Sequence, residues 1–284
     1  MLSNAAITTV VSAALLEDAP WGDVTSELLI PERATATAEL VAREAGVFSG
    51  AALVRAAFTL TDPAIHVEVL VPDAAAFERG AVLARVNGPA RGILQAERVA
   101  LNLVQRMSGI ATLTARYVTE TEGTRARIVD TRKTTPGLRA LERQAVRDGG
   151  GHNHRFSLSD AVMAKDNHLA VLTAGDLSVT DALLALRARL SHTTHLEVEV
   201  DRLDQIEPVL AAGIDTIMLD NFSPEQLRQG VQQVAGRAIV EASGGVSLDT
   251  VRAIAASGVD IISVGALTHS VRALDLGLDV VLSA

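Results

Sequence analysis

Four short stretches decide the fold: LEVEV (residues 196–200), TIML (216–219), AIV (238–240) and DIISV (260–264). Each is an apolar run rich in Val and Ile, as the buried strands of a parallel sheet are. Helical patterns lie between them, for example over residues 204–212, 224–234 and 248–256. Strands that alternate with helices form βα units, so the pattern predicts a parallel sheet covered by helices.

Two earlier runs, residues 127–129 and 161–164, extend the series to six βα-type units. In an α/β barrel, the carboxyl ends of the parallel strands face one shared mouth. Six units are fewer than the usual eight, so we expect an incomplete, TIM-like α/β barrel of six or seven strands. An open doubly wound sheet is the alternative, although no glycine-rich dinucleotide motif follows any strand. Polar or small residues stand at the strand ends, and the last four are separated by 21, 23 and 22 residues: Asp130, Lys165, Glu199, Asp220, Ser243 and Gly265.

The first third of the chain has a different rhythm. Residues 35–43, 65–71 and 82–86 predict short strands of an antiparallel sheet, with a turn at Asn87-Gly88-Pro89. The apolar spacing of residues 1–16 predicts an amphipathic helix, and residues 91–122 predict a long helix that leads into the βα units. The chain is therefore expected to contain two domains.

Composition excludes several classes of function. The net charge is -9 and aromatic residues make up 2% of the chain, so a nucleic-acid partner is not expected. No cysteine is present, which excludes disulfides, Cys-ligated zinc and a thiolate nucleophile. The N-terminal apolar stretch has no basic region before it, so we expect neither a signal peptide nor a membrane partner, and a cytoplasmic location.

Only two of the 25 basic side chains are lysines, Lys133 and Lys165. Lysine offers a compact point charge that arginine does not, so both positions are candidates for chemistry. Lys133 lies in DTRKTTPG (residues 130–137), where hydroxyl groups, adjacent cations and a helix start suit an anion. A plain cap and turn is the alternative for that motif.

Three further motifs carry polar groups. GGGHNHR (residues 149–155) has histidines that lack nearby partners for zinc, so hydrogen bonding to an anionic substrate is the better interpretation. Glu197, Glu199 and Asp201 alternate along one strand and project to one side, where lysines, a metal ion or a developing cation would balance them. Asp220-Asn221 suits Mg²⁺ or sugar hydroxyls. The small residues at 243–245 and 265–266 suit a phosphate, although each alone is also a tight turn.

These motifs, together with EVEV (residues 197–200), MLDN (218–221), EASGG (241–245) and residues 263–270, closely resemble the quinolinate phosphoribosyltransferases. The resemblance extends over nearly the whole chain, including residues 17–18 and 22–25. It implies an N-terminal open α/β sandwich over residues 1–107 and a barrel over residues 108–268. Residues 269–284 are then expected to pack back on the N-terminal domain.

The resemblance also implies an activity. Enzymes of this family transfer the phosphoribosyl group of phosphoribosyl pyrophosphate to quinolinate with decarboxylation, giving nicotinate mononucleotide, pyrophosphate and CO2 for NAD biosynthesis. By this likeness the chain is expected to be a pentosyltransferase that uses Mg²⁺. It is also expected to form a homodimer or larger homo-oligomer, in which Arg98 reaches the quinolinate of the neighbouring subunit.

The same likeness assigns the site residue by residue. Lys133, Lys165, Glu199 and Asp220 are the expected catalytic residues, the two lysines being shared between the substrates. Glu199 and Asp220 would serve the ribose and Mg²⁺, directly or through water, with Asn221 beside them. The quinolinate carboxylates would be held by Thr131, Arg132, His154 and Arg155. The 5′-phosphate would be held by Ser243, Gly244, Gly245, Val264, Gly265 and Ala266.

Two other functions remain open at this point. A Schiff-base aldolase or decarboxylase would use Lys165 or Lys133 as its nucleophile. A molybdate-transport-associated homologue of the same fold would bind an anion without catalysis. The full set of Arg98, Arg132, Arg155 and both lysines favours the transferase.

Overall fold

The computed structural model describes residues 2–175 and 177–281, so Met1 of the predicted first helix and residues 282–284 of the predicted C-terminal extension lie outside it. The helices are α1 Asn4–Asp18, α2 Val24–Leu29, α3 Ala51–Thr61, α4 Ala90–Glu120, α5 Arg139–Asp148, α6 Asp166–Leu172, α7 Val179–Arg187, α8 Ile206–Leu210, α9 Pro224–Val234, α10 Val251–Ala255 and α11 Ala266–His269. The strands are β1 Thr35–Ala42, β2 Gly46–Val47, β3 His66–Val69, β4 Ala76–Phe77, β5 Val82–Pro89, β6 Arg127–Val129, β7 Val162–Ala164, β8 Leu196–Val200, β9 Thr216–Asp220, β10 Ile239–Ser243, β11 Ile261–Ser263 and β12 Leu276–Val281.

The chain divides into two compact units. Unit 1 contains the described residues of Met1–Ala115, Thr134–Gly150 and Leu267–Ala284. Unit 2 contains the described residues of Arg116–Lys133 and Gly151–Ala266. Helix α4 therefore begins in unit 1 and ends in unit 2.

Unit 1 is built on an antiparallel sheet with the strand order β12-β1-β5-β3. Strand β1 alternates buried and less buried side chains, as expected for a strand with one face on a core. Its register joins distant parts of the sequence, because β1 pairs with β12 on one side and with β5 on the other. Helices α1 and α3 pack against each other in the same unit.

The predicted turn at Asn87-Gly88-Pro89 is wrong, because these residues form the end of β5. They pair with Thr35, Ala36 and Thr37 of β1. Proline is tolerated at the end of a strand, where its missing N–H removes no essential ladder hydrogen bond. Asn87 Oδ1 accepts a hydrogen bond from Thr37 Oγ1 at 2.6 Å, which adds a side-chain link across the two strands.

Unit 2 contains a six-stranded parallel sheet with the order β6-β11-β10-β9-β8-β7. These are the six strands that the sequence predicted, and most of their apolar side chains are buried. Within the described residues, β6 and β7 are the sheet's two edges and do not pair with each other, so the α/β barrel is incomplete as expected. An isolated parallel bridge between Val129 and His152 extends the β6 edge.

All six strands of this sheet run in the same direction, so their carboxyl ends lie at one edge of the sheet. This arrangement brings the predicted strand-end residues together.

No helix in the described parts of the chain combines the length and the apolar character needed to cross a membrane.

Candidate active site

A cavity of about 410 Å³ lies within unit 2, at the carboxyl ends of the parallel strands. Its wall combines four cationic residues with two carboxylates. The cations can bind an anion, and the carboxylates make one part of the wall acidic. The lining residues are Thr131, Arg132, Lys133, His154, Arg155, Met163, Lys165, Glu199, Met218, Asp220, Ser243 and Ser263. The structure therefore brings both lysines to one cavity.

Lys165 and Glu199 form a direct ion pair in this cavity. Lys165 follows β7 and caps α6, while Glu199 lies in the adjacent strand β8. The Nζ of Lys165 donates a hydrogen bond to Oε2 of Glu199. The backbone N–H of Lys165 donates to His168 Nδ1 at 3.0 Å, which fixes the start of α6. Of the partners that the sequence left open for Glu199, the structure thus supplies a lysine.

Arg132 and Arg155 supply two guanidinium groups. Nη1 of Arg155 donates to the carbonyl oxygen of Ala161 at 2.9 Å. Burial lowers the pKa of Arg155, and the positive charge of Arg132 lowers it further, so the two side chains are close enough to repel. The Nε of Arg132 is buried and has no hydrogen-bond partner among the residues that the structure describes. A buried donor without an acceptor is costly, and such a cost is often found at a binding site.

Asp130 anchors the loop that carries the histidines, a role that the sequence did not reveal. Its carboxylate is fully buried. Oδ1 accepts a hydrogen bond from the backbone N–H of His154 at 2.8 Å, and Oδ2 accepts one from Asn153 Nδ2 at 2.6 Å.

In the neighbouring loop, Thr131 Oγ1 accepts a hydrogen bond from the N–H of Lys133 at 3.1 Å. Lys133 itself is exposed, so it stands at the outer edge of the cavity.

His154 is held by two buried glutamates. Its Nε2 lies 3.2 Å from Glu197 Oε2 and 3.5 Å from Glu241 Oε1. Its Nδ1 accepts the backbone N–H of Arg155 at 2.7 Å. Both ring nitrogens therefore contact protein groups in this structure, and the expected contact of His154 with quinolinate stays a prediction.

The protonation of this cluster follows from burial and charge. Burial lowers the pKa of His154, but the hydrogen bonds and charges of Glu197 and Glu241 outweigh burial and raise the pKa to about 10. Burial raises the pKa of Glu197, against the effect of His154. A proton on Nε2 fits all these contacts. The raised pKa favours a second proton on Nδ1, but the hydrogen bond that Nδ1 accepts from the Arg155 N–H opposes it, so the geometry assigns a neutral ring with its proton on Nε2.

Sequence reasoning did not identify Glu241 as part of the site. Its position carried a usable signal, because Glu241 stands two residues before Ser243 in β10 and so projects to the same side of the strand. Met163 and Met218, which line the cavity, gave no signal because buried methionines are usual in strands. Glu197 was recognised only as a carboxylate that needed a positive partner.

Several predicted residues lie beside the cavity rather than on its wall. Asn221 Nδ2 donates to Asp220 Oδ2 at 2.6 Å, and its backbone N–H donates to the Ser243 carbonyl at 2.8 Å. The N–H of Val264 donates to the Val129 carbonyl at 3.0 Å, so it is already used within the protein. The residues predicted for the site but not lining this cavity are Arg98, Asn221, Gly244, Gly245, Val264, Gly265 and Ala266.

Arg98 belongs to unit 1, where it lies exposed on α4. The cavity is made by residues of unit 2 alone.

A second cavity of about 610 Å³ shares Glu199 and Asp220 with the first. It adds the acidic side chains of Asp166, Asp201 and Asp204. Carboxylate oxygens are the ligands that Mg²⁺ prefers, and Glu199 and Asp220 stand where the acidic and cationic regions meet. By their chemistry, these two carboxylates could hold a divalent cation beside an anionic substrate.

Comparison with known proteins identifies the family of this chain. Residues 23–108 match the family model of the quinolinate phosphoribosyl transferase N-terminal domain, and residues 110–279 match that of its C-terminal domain. The chain is 46% identical over 278 residues to the nicotinate-nucleotide pyrophosphorylase [carboxylating] of Mycobacterium leprae, covering 95% of each chain.

Solved structures of nicotinate-nucleotide pyrophosphorylase and of NadC are also similar to this chain. The nicotinate-nucleotide pyrophosphorylase from Francisella tularensis superposes with a TM-score of 0.93 at 36% identity, covering 99% of this chain and 98% of the other. The structure of NadC from Streptococcus pyogenes superposes with a TM-score of 0.93 at 40% identity, covering 99% of each chain.

Proposed function

The chain belongs to the quinolinate phosphoribosyltransferase family, and on that premise we propose that it converts quinolinate and phosphoribosyl pyrophosphate into nicotinate mononucleotide, pyrophosphate and CO2. The alternatives of a Schiff-base aldolase and a molybdate-associated binding protein are less well supported, because relatives over nearly the full length carry the carboxylating pyrophosphorylase name.

One observation in the structure carries the proposal. The cavity brings together the positive charges of Arg132, Arg155, Lys133 and Lys165. Quinolinate brings two adjacent carboxylates, and planar guanidinium groups match carboxylates in a bidentate manner. We assign the carboxylates to Arg132 and Arg155, with the Thr131 hydroxyl as a further donor.

The phosphoribosyl pyrophosphate lies on the other side of the cavity in this proposal. Lys165 and Lys133 neutralise phosphate oxygens, and Glu199 faces the ribose carbon as it gains positive charge. The pyridine nitrogen then forms a bond to that carbon while the bond to the pyrophosphate oxygen breaks and its electron pair leaves with pyrophosphate. Positioning and electrostatic stabilisation supply the acceleration, since no side chain of the site is needed as a covalent nucleophile.

Decarboxylation follows from the charge on the ring. Once the nitrogen carries the ribosyl group, it is positively charged and stabilises an electron pair on the adjacent carbon. The bond from that carbon to its carboxylate breaks, CO2 leaves, and the carbon takes up a proton. The side chains of Arg132 and Arg155 orient the ring during this step, and no Schiff base is required.

We propose Mg²⁺ as the cofactor, held by Glu199 and Asp220, directly or through water. The fit rests on the donor set, because both are carboxylates that line the cavity and Glu199 is already poised against a cation, Lys165. A bound Mg²⁺ would supply charge neutralisation for the pyrophosphate leaving group. Asn221, bonded to Asp220, orients that carboxylate.

The backbone around Ser243, Gly244 and Gly245 is proposed to receive the 5′-phosphate, with Gly265 and Ala266 opposite it. Gly244 has a φ of 84°, a conformation in which glycine is favoured because a side chain would be strained. The start of α11 at Ala266 adds backbone donors at the same edge. Val264 contributes shape rather than its N–H, which Val129 already accepts.

We further propose a homodimer or larger homo-oligomer in which Arg98 of one subunit completes the site of another. Arg98 is exposed and lies outside the cavity of its own unit 2. Large apolar side chains are also exposed near the N-terminus, including Trp21 at 93% and Leu28 at 80%. Apolar surface of this kind is typical of a protein interface.

The direct test is an assay that measures pyrophosphate and CO2 release with quinolinate and then with nicotinate. We expect equal amounts of both products from quinolinate, and little turnover with nicotinate because it lacks one of the two carboxylates. Failure to release pyrophosphate from quinolinate and phosphoribosyl pyrophosphate would contradict the proposed activity.

A further inference from the structure

The cluster of His154, Glu197 and Glu241 has no role in the proposed reaction steps. The side chains of Glu197 and Glu241 are only 4% and 2% exposed. Each stands two residues before a cavity residue of its strand, Glu199 in β8 and Ser243 in β10, and projects to the same side. Among the described residues, Oε1 of both glutamates is buried without a hydrogen-bond partner, and the 3.5 Å approach of His154 Nε2 to Glu241 Oε1 is a charge contact. Burying two acids with unpaired oxygens costs folding free energy. A function at the adjacent cavity would explain why they are present.

The cluster fixes the orientation of the His154 ring. A carboxylate can only accept hydrogen bonds, so the Nε2 that faces Glu197 and Glu241 must carry a proton. The opposite nitrogen accepts the Arg155 N–H. The ring therefore links strands β8 and β10 to the backbone of Arg155. Asp130, the residue after β6, accepts a hydrogen bond from the backbone N–H of His154.

The cluster also balances charge. Arg155 and Arg132 repel each other, whereas the negative charge of Glu197 acts favourably on Arg155. Cations gathered around an empty cavity repel one another, which destabilises the ligand-free protein. Buried carboxylates below the cations reduce their repulsion without occupying the space that the ligand needs.

We propose that Glu197 and Glu241 are positioning residues, which hold His154 and, through it, the backbone of Arg155 in place for anion binding. The inference rests on the proposed function only where it takes quinolinate as the anion. Their removal should then weaken quinolinate binding more than phosphoribosyl pyrophosphate binding.

A metal ion is the alternative occupant of this cluster. Ligand atoms of His154, Glu197 and Glu241 lie within 4.8 Å of one another. The adjacent positive charge of Arg155 opposes a cation, and a proton on Nε2 already explains the contacts. We therefore assign the cluster to a proton rather than to a metal.

The test uses the full-length variants Glu197→Gln and Glu241→Gln. The matched control is Glu207→Gln, which removes an exposed carboxylate that pairs with Arg237 elsewhere in unit 2. We expect the KM for quinolinate to rise about tenfold in each positioning variant, with the KM for phosphoribosyl pyrophosphate changing less than about twofold. The control should match the wild type in both constants.

A spectroscopic measurement separates positioning from general damage. Nitrogen-15 histidine NMR of the ligand-free protein, with the His154 signals assigned through His154→Gln, reports which ring nitrogen carries the proton. We expect an Nε2-protonated ring in the wild type and a changed tautomer or lost hydrogen bond in Glu197→Gln. This measurement needs no turnover, so it remains informative if the proposed activity fails.

Three results would overturn the inference. The first is a wild-type ring that carries its only proton on Nδ1. The second is an unchanged quinolinate KM in both folded variants. The third is one equivalent of a tightly bound transition metal in the purified protein that is lost in Glu197→Gln. If Glu197→Gln does not fold, Glu241→Gln and Glu197→Asp give the same comparison, and the wild-type spectrum still decides the tautomer.

Discussion

Lys165, the residue after β7, and Glu199, in the adjacent strand β8, pair directly, ammonium to carboxylate, within the candidate active site. The pair joins the cationic and the acidic residues of the cavity wall.

Replacing Lys165 should therefore disturb catalysis and not folding. We expect Lys165→Met to lower kcat by about 100-fold or more, because the leaving group loses a positive charge and Glu199 is left unpaired. The Lys165 side chain is 44% exposed, so the fold should persist, as circular dichroism can check. Borohydride treatment of the wild type with a carbonyl substrate should trap no adduct on this lysine. A trapped adduct would favour Schiff-base chemistry.

Lys133 offers a second test of charge geometry. Lys133→Arg keeps the positive charge but replaces the compact ammonium by a larger, planar guanidinium group. We therefore expect normal folding and a fall in kcat of about 10-fold or more. Arg228→Lys, on the exposed surface of α9, is the control and should behave as the wild type. Wild-type turnover in Lys133→Arg would remove this lysine from the proposed mechanism.

Adjacent glycines in the proposed phosphate loop make a matched pair. A Cβ on Gly244 would lie 2.1 Å from Asn221 Oδ1, whereas a Cβ on Gly245 meets nothing within 4 Å. Both have positive φ, so the backbone strain is shared and only the clash differs. We expect Gly244→Ala to raise the KM for phosphoribosyl pyrophosphate by about tenfold or more, and Gly245→Ala to have the smaller effect. Equal KM values for the two variants would contradict this assignment.

Subunit complementation tests the placement of Arg98. Arg98→Ala and Lys133→Ala should each be nearly inactive alone. If Arg98 acts in a neighbouring subunit, mixing the two variants under exchange creates sites with both residues intact. For random dimers, about a quarter of the sites should regain activity. Activity that stays at the level of the unmixed variants would place Arg98 in its own subunit's site or outside the mechanism.

Glu44 predicts a pH-dependent contribution to stability. Hydrogen bonds from Arg272 and from the Asp275 N–H lower the pKa of Glu44 below its usual value. The stabilisation is therefore present above the unfolded-state pKa near 4.5 and is lost as the pH falls through the lower folded-state pKa. We expect Glu44→Gln to cost about 1 kcal/mol of unfolding free energy at neutral pH.

That cost should shrink as the pH falls through the lowered folded-state pKa of Glu44, because the wild-type carboxylate is then also protonated. Urea unfolding followed by circular dichroism across a series of pH values measures the difference. A constant difference between wild type and variant across the range would show that Glu44 acts through packing and not through its charge.

The sequence predicted the parallel sheet well because each βα unit is a local pattern. An apolar run followed by helical spacing is visible within about 20 to 35 residues, so all six strands were identified from the chain alone. The turn at Asn87-Gly88-Pro89 failed for the opposite reason. Its residues favour turns locally, but pairing with Thr35 and Ala36 some 50 residues away decides their conformation.

The site divides in the same way. Sequence by itself determined which polar residues stand at the strand ends, because the spacing of the units places them there, and the family likeness proposed their roles. Only the tertiary structure decided their partners: Glu199 pairs with Lys165, and Glu197 faces His154 together with Glu241. These pairings depend on which strands become neighbours and on which side chains are buried together. Both are properties of the folded chain, since they join residues far apart in sequence.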